Sequence, residues 1–183
     1  VEDCINLLAL GQSKTFKLKD AKINVENIID SANVLDVSER ERNSHLGKYY
    51  HTFALLYRES SNENRLEKYY EYQQLSLDYY LKAYGKDSAH MILPYLETAE
   101  AAAFEHHGEA IDYYGKAENL CLFYYGAESP QMEECISYLI LICSHSHDYE
   151  KMNRELEKAI PIFASLPKNL HSYNSLDIIN GLL

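Results

Sequence analysis

Two groups of histidines in this sequence have the residue type and the close spacing with which side chains could bind a metal ion. They are His106-His107 and His145-x-His147, with Glu105 and Asp148 beside them. Imidazole and carboxylate groups are common ligands of Zn²⁺. The spacing matches no known ligand pattern, however, and histidines are common in loops, so the sequence favours ordinary loop residues. A small metal-dependent enzyme stays open as the weakest of three hypotheses, and no cofactor is predicted.

The four cysteines do not form an obvious reactive site either. Cys4, Cys121, Cys135 and Cys143 are dispersed without a C-x-x-C pair, and three of them lie in apolar helical segments, where a free thiol acts as a small core residue. This usage suits a reducing cytosol. The sequence has no His-Glu-x-x-His, no Gly-x-Ser-x-Gly and no glycine-rich phosphate-binding or dinucleotide-binding pattern. We therefore predict a cytoplasmic protein that is not an enzyme.

Composition and charge exclude further classes. The chain has 183 residues, of which 46% are hydrophobic and 25% charged, and its net charge at neutral pH is −11. The apolar fraction is too high for a disordered acidic tail, and the negative field would repel nucleic acid and anionic membrane surfaces. No apolar run is long enough for a membrane helix. Because the sequence begins at Val1 rather than Met, we expect either a processed chain or a piece of a longer one.

The elements that must position any functional side chains are helices. Apolar residues recur at three- and four-residue spacing, and only 7 Gly and 4 Pro interrupt them. The predicted helices come in pairs, and one unpaired helix follows them. Successive pairs are joined by connections such as 36–43. The pairs are 2–10 with 19–37, 44–59 with 64–84, 88–106 with 109–125, and 130–144 with 149–165, and the unpaired helix is 170–183.

A repeated hexapeptide favours an α-solenoid over a helical bundle. Tyr84-Gly85-Lys86-Asp87-Ser88-Ala89 and Tyr125-Gly126-Ala127-Glu128-Ser129-Pro130 share one pattern and lie 41 residues apart. Nine residues before each glycine comes a small residue, Ser76 or Ala117, and fourteen residues after it comes Ala99 or Ile140. Two helix backbones approach closely only where the side chains between them are short. We therefore expect the paired helices to touch at the small positions.

These features resemble tetratricopeptide repeats (TPRs), in particular the long-period form of kinesin light chains, with repeats of about 42 residues. Phe53-Ala54-Leu55-Leu56-Tyr57 is similar to the family's first helix, and Ala110, Tyr114 and Ala117 match the spacing of its second. The resemblance implies an all-α, right-handed solenoid of antiparallel helix hairpins, with about four hairpins plus a C-terminal helix in one domain over 1–183. The repeats would be 2–37, 44–84, 88–125 and 130–165.

The resemblance also implies a concave groove lined by the first helix of each pair, and helical spacing selects the residues that would face it. They are Lys48, His51, Leu55 and Arg58 in one hairpin, Leu93, Leu96, Glu100 and Phe104 in the next, and Glu134, Ser137, Leu141 and His145 in the third. Leu93, Leu96 and Phe104 could equally pack against neighbouring helices. A mixed surface with an apolar centre and few basic groups suits a basic or amphipathic partner segment better than an acidic one.

The leading hypothesis is therefore a non-catalytic scaffold or adaptor that binds a peptide or helix of another protein in this groove. The alternative is an assembly domain, because helix 170–183 ends in an apolar run that could meet a second chain. By resemblance, the cytoplasmic setting would include cytoskeletal or ciliary complexes. Adjacent tyrosines such as Tyr113-Tyr114 and Tyr124-Tyr125 are expected to place one ring in the core and the other at the rim.

Overall fold

The computed structural model describes residues 37–145 without a gap, together with isolated helical positions at 23, 27, 150, 153, 154, 157, 160 and 161. The predicted helices 2–10 and 170–183 lie outside the described residues, and 19–37 and 149–165 are described only at single positions. In the described part every regular element is a helix, which confirms the all-α prediction. No helix in that part is both long and apolar enough to cross a membrane.

Five α-helices and one 3-10 turn follow one another in the described part. The first two helices are α1, Glu39–Arg58, and α2, Arg65–Tyr84. The 3-10 turn Ala89–Met91 leads directly into α3, Ile92–Ala102, which is followed by α4, His107–Tyr124, and α5, Pro130–His145. The chain divides into two compact units, Val1–Asp87 with α1 and α2, and Ser88–Leu183 with α3 to α5.

Helix α1 begins at Glu39, so the prediction of a connection over 36–43 is wrong there. Ser38 Oγ accepts a hydrogen bond from the Glu41 backbone N–H at 3.3 Å, and Glu41 Oε2 accepts one from the Ser38 backbone N–H at 3.0 Å, which forms a capping box. The Ser38 hydroxyl also donates to Glu41, and these bonds lower the pKa of that carboxyl. The stability contributed by the carboxylate is therefore present at neutral pH and is lost as the pH falls through the lowered pKa.

Helices α1 and α2 pack against each other and touch where both carry small residues. Ser76 Oγ on α2 donates a hydrogen bond to the backbone carbonyl of Gly47 on α1 at 2.7 Å, and both residues are buried. A Cβ built on Gly47 would stand 3.0 Å from three ring carbons of Tyr80, so the absence of a side chain at Gly47 makes room for this ring. The prediction that Ser76 marks a close contact is confirmed.

Aromatic side chains fill the rest of the space between α1 and α2. The Tyr72 ring centroid lies 4.9 Å from that of Phe53, 5.3 Å from that of Tyr57 and 6.4 Å from that of Tyr50. Tyr50 in turn stacks on Tyr79 at 5.3 Å, with the ring planes 5° apart. Burial raises the pKa of the Tyr50 phenol, and the Tyr79 phenol adds to this shift. These rings pack the helix pair together and bury a large apolar area within it.

The repeated hexapeptide forms the same kind of turn twice. Gly85 and Gly126 have φ angles of 75° and 82°, which glycine adopts without strain. Three residues further on, Ser88 and Ser129 each accept a hydrogen bond from a following backbone N–H, at 3.2 and 3.1 Å. A glycine that ends one helix and a serine that caps the next explain why both residue types recur at this spacing.

In the second unit α3 packs on α4, and both helices contact α5. The buried face of α4 repeats at four, three and four residues and consists of Ala110, Tyr114, Ala117 and Cys121. Ala99 on α3 faces no solvent, as predicted for a small contact position. The prediction that the cysteines are core residues is confirmed for the three in the described part, Cys121, Cys135 and Cys143, while Cys4 lies outside it.

Replacing Gly47 with valine is expected to destabilise the first unit by about 2 kcal/mol, because the new side chain must displace the Tyr80 ring from the α1–α2 contact. Gly115 on α4 is the matched control, since nothing lies within 4 Å of the position of its Cβ. Gly115→Val should change stability by no more than about 0.5 kcal/mol. Urea unfolding followed by circular dichroism measures both variants, and equal stabilities would contradict the tight contact at Gly47.

Candidate binding surface on the second unit

The outer side of α5 carries a stripe of polar side chains with one leucine. Pro130 begins the helix, and Ser129 accepts the hydrogen bond of the Met132 N–H. The inner side of α5 is buried and consists of Met132, Cys135, Ile136, Leu139, Ile140, Ile142 and Cys143. The residues left between these positions form what we call the α5 stripe, namely Glu133, Glu134, Ser137, Tyr138 and Leu141.

The α5 stripe lines a shallow cavity of about 450 Å³, together with Pro130. Leu141 is 36% exposed at one end of the stripe, and Glu134 is exposed near the other. The Ser137 hydroxyl donates a hydrogen bond to Glu133 Oε1 at 3.4 Å. The surface thus combines two carboxylates, two hydroxyls and one apolar side chain, a set that can accept an apolar group and a cation side by side.

Three predicted groove residues, Glu134, Ser137 and Leu141, meet on this stripe. Glu133 and Tyr138 belong to it as well, although the sequence analysis did not select them for the groove. The signal for both was available, since Glu133 and Leu141 lie one turn on either side of Ser137, and Tyr138 lies one turn after Glu134. Glu133 also stands in the first turn of α5, where a carboxylate stabilises the helix N-terminus.

Phe104 and His145, two further predicted groove residues, stack on each other. Phe104 follows α3 and His145 ends α5, and their ring centroids are 4.3 Å apart with an interplanar angle of 29°. Both side chains are half-buried. The stack therefore joins the end of α3 to the end of α5, and both residues stay partly exposed.

The structure places Leu96 in the core and not on an open surface. Its side chain has no exposed area, whereas Leu93, one turn earlier on α3, is 44% exposed. Glu100 on the same helix is half-buried. The assignment of Leu96 to the groove is therefore wrong, and the alternative interpretation, packing against neighbouring helices, holds for this residue.

The four predicted groove residues of α1 belong to the first unit, and two of them contact α2. His51 Nδ1 is hydrogen-bonded at 3.0 Å to Oε1 of Gln73, which is fully buried. The Arg58 guanidinium lies 5.6 Å from the centroid of the Tyr69 ring. Lys48 and Leu55 are half-buried. His51 and Arg58 therefore take part in the packing of the helix pair.

The histidines of the predicted loops do not assemble a metal site in the described part of the chain. His106 Nδ1 lies 3.8 Å from Glu109 Oε1 in the first turn of α4. Over residues 37–145 and the isolated positions, no group of three or more His, Cys, Asp or Glu side chains is placed to hold a metal ion. His147 and Asp148, two of the residues named in the metal hypothesis, lie outside the described residues.

An exposed run of large apolar residues ends α4, and we call it the aromatic tip. It consists of Leu122, Phe123, Tyr124 and Tyr125, which are 39%, 79%, 45% and 47% exposed. The expectation that one ring of the pair Tyr124-Tyr125 lies in the core is wrong. The same expectation holds for the pair Tyr113-Tyr114, of which Tyr114 is buried and Tyr113 half-buried. Four consecutive residues of a helix cannot all lie on one face, so some of these apolar side chains had to be exposed. The apolar run in the sequence could therefore have predicted the aromatic tip.

Leu96 and Leu93 provide a matched test of these placements. Leu96→Ala is expected to cost about 3 kcal/mol of stability, because it leaves a cavity in a filled core. Leu93→Ala removes the same atoms from an exposed position and should cost no more than about 0.5 kcal/mol. Thermal unfolding of both variants measures the difference in stability. A Leu93→Ala variant as unstable as Leu96→Ala would contradict the exposed position of Leu93.

Comparison with known proteins adds no family to this description. The sequence matches no protein-family model, and no curated protein sequence is significantly similar to it.

Proposed function

We propose that the protein is a non-catalytic interaction scaffold, a cytoplasmic TPR-like solenoid of helix hairpins, which binds a basic, amphipathic segment of a partner protein on the α5 stripe. The observation that carries this proposal is the position of the exposed Leu141 beside the carboxylates of the same stripe, over a shallow cavity. The resemblance of the sequence to TPRs supports the scaffold class. The free, buried cysteines support the cytoplasmic location.

The α5 stripe favours a helical partner for geometric reasons. An amphipathic helix presents apolar anchors at three- and four-residue spacing, and such anchors can cover Leu141 and the Tyr138 ring. Lysine or arginine residues beside the anchors would then meet Glu133 and Glu134. Each exposed ion pair contributes about 0–1 kcal/mol, so the carboxylates act mainly on partner choice and association rate. The net charge of −11 adds long-range attraction for a basic segment.

A synthetic amphipathic helix with leucine on one face and lysine on the other is expected to bind the full chain. Its twin with glutamate in place of lysine is not, because like charges oppose it. Leu141→Arg should weaken binding of the lysine peptide about tenfold, since the apolar anchor is lost and a like charge is added. Fluorescence anisotropy of the labelled peptides at two salt concentrations measures these effects.

Phe123→Arg is the matched control for that experiment. It places the same charge on an exposed apolar position outside the α5 stripe, so it should leave peptide affinity within about twofold of wild type. An equal loss in both variants would indicate general charge attraction and not a site. Equal affinity for the glutamate peptide would contradict the proposed preference for basic partners.

Self-assembly is a second candidate function, favoured by the aromatic tip. Monomeric proteins rarely leave large apolar side chains together on the surface, and Phe123 alone is 79% exposed. Aromatic residues are enriched at the centres of protein interfaces. Two copies can bring identical patches together around a twofold axis, which buries the tip of each copy against the other. The assembly route predicted from helix 170–183 lies outside the described residues.

Sedimentation velocity of the full chain is expected to show a dimer whose population rises with added salt, because screening weakens repulsion between two copies of charge −11. Phe123→Arg should shift the distribution to monomer. Leu141→Arg, which changes an exposed leucine of the α5 stripe, serves as the control and should dimerise like wild type. A strictly monomeric wild-type chain at high concentration would rule out the tip as an assembly surface.

A further inference from the structure

Two tyrosine rings from different helices stack on each other in the first unit. Tyr50 on α1 and Tyr79 on α2 have ring centroids 5.3 Å apart, and their ring planes deviate from parallel by 5°. Both residues are half-buried, so the pair is packed in place and still partly exposed to solvent. Lys82 Nζ lies 4.5 Å from the centroid of the Tyr79 ring, and this contact restricts the ring further. Two phenols are thus held against each other within reach of a reagent in solution.

We propose that Tyr50 and Tyr79 are a modification site, which a one-electron oxidant converts to a dityrosine cross-link between α1 and α2. The oxidant takes one electron from each phenol, and each O–H proton passes to water, which leaves two neutral phenoxyl radicals. Their unpaired electrons pair to form a C–C bond between two ring carbons adjacent to the C–O carbons. The hydrogens on these two carbons then move to the oxygens. Two tyrosines and two oxidant equivalents therefore give one dityrosine, two protons and two reduced equivalents.

The surroundings of the two rings favour loss of the electron together with the proton. Burial raises the pKa of the Tyr50 phenol, so this phenol keeps its proton at neutral pH. The Lys82 ammonium group would repel a radical cation on the Tyr79 ring. A neutral phenoxyl radical carries no such charge, and it forms only when the proton leaves as well. Because both tyrosines are partly exposed, water can accept these protons.

Distance and exposure together distinguish this pair from the other rings packed around Tyr72. The Tyr57 and Tyr72 centroids are also 5.3 Å apart, but Tyr57 is buried and is not open to an oxidant in solution. The Tyr50 and Tyr72 centroids are further apart, at 6.4 Å. Only the stack of Tyr50 on Tyr79 combines the shorter distance with two partly exposed partners among these three pairs. We therefore expect the cross-link to form there.

The tyrosines of the aromatic tip provide an internal comparison. Tyr124 and Tyr125 are 45% and 47% exposed, but their ring centroids are 6.4 Å apart and their planes are tilted by 49°. If exposure alone determined coupling, the tip would react first and would join separate copies of the chain. If the stacked geometry determines it, the cross-link forms within one chain and links α1 to α2.

Oxidation of the dilute native full chain with photogenerated tris(bipyridine)ruthenium(III) tests the proposal. This complex removes one electron at a time, and dilution suppresses coupling between chains. Dityrosine fluorescence and the loss of two hydrogen atoms from the mass of the monomer report the cross-link. Trypsin with endoproteinase Asp-N releases residues 49–58, 69–77 and 78–82 as separate peptides, which contain Tyr50, Tyr72 and Tyr79 respectively.

The expected product joins residues 49–58 to residues 78–82, and fragmentation should assign the bond to Tyr50 and Tyr79. The cross-linked protein should also unfold at a higher temperature than the untreated protein, because a covalent link between α1 and α2 restricts the unfolded chain. In the urea-unfolded chain the preference for this pair of peptides should disappear, since the stack is lost.

Two phenylalanine variants make the result specific. Tyr79→Phe keeps an aromatic ring at the stack but removes the phenol, so it should abolish the cross-link. Tyr72→Phe is the matched control, because it removes a phenol from a ring that also stacks on Tyr50 and should leave the cross-link unchanged. The peptide mapping on wild-type protein does not depend on whether a variant folds.

Several outcomes would overturn the proposal. They are a cross-link between residues 49–58 and 69–77, an undiminished cross-link in Tyr79→Phe, and the same peptide preference in the urea-unfolded chain. Dityrosine that forms only between chains would also contradict it. So would the absence of a cross-link within the chain after exposure long enough to oxidise Tyr124 and Tyr125.

Discussion

Close approach of helix backbones at small residues is the constraint on which the rest of this structure depends. At Gly47 the backbone of α1 comes near enough to α2 for the Ser76 hydroxyl to bond its carbonyl at 2.7 Å. This contact sets the spacing within which the Tyr80 ring fits over Gly47. The large rings on either side, with Tyr72 at their centre, then fill the space that the crossing leaves. A bulky residue at the crossing would separate the helices and weaken the aromatic contacts together with the hydrogen bond.

The second unit uses alanine for the same purpose, and this determines which side chains remain available for binding. Ala99, Ala110 and Ala117 are fully buried, which lets α3 and α4 pack closely. As a result α3 is buried on most of its circumference and offers little surface beyond Leu93. Helix α5 differs because its apolar residues lie on one side, so its polar side and the end of α4 carry the accessible groups. The candidate surfaces therefore follow from the packing of the core.

The sequence predicts some elements of the fold and of the candidate site better than others, and the reasons are physical. The glycine and serine of the hexapeptide were informative, because a positive φ angle and a helix cap restrict the residue types allowed. The start of α1 was missed because a charged run resembles a loop unless the reciprocal bonding of Ser38 and Glu41 is recognised. Leu96 was misplaced because α3 is buried on most of its circumference, so the helical spacing that grouped Leu96 with the exposed Leu93 does not separate an open face from a core face. The α5 stripe was partly predicted, since its polar and apolar sides are distinct.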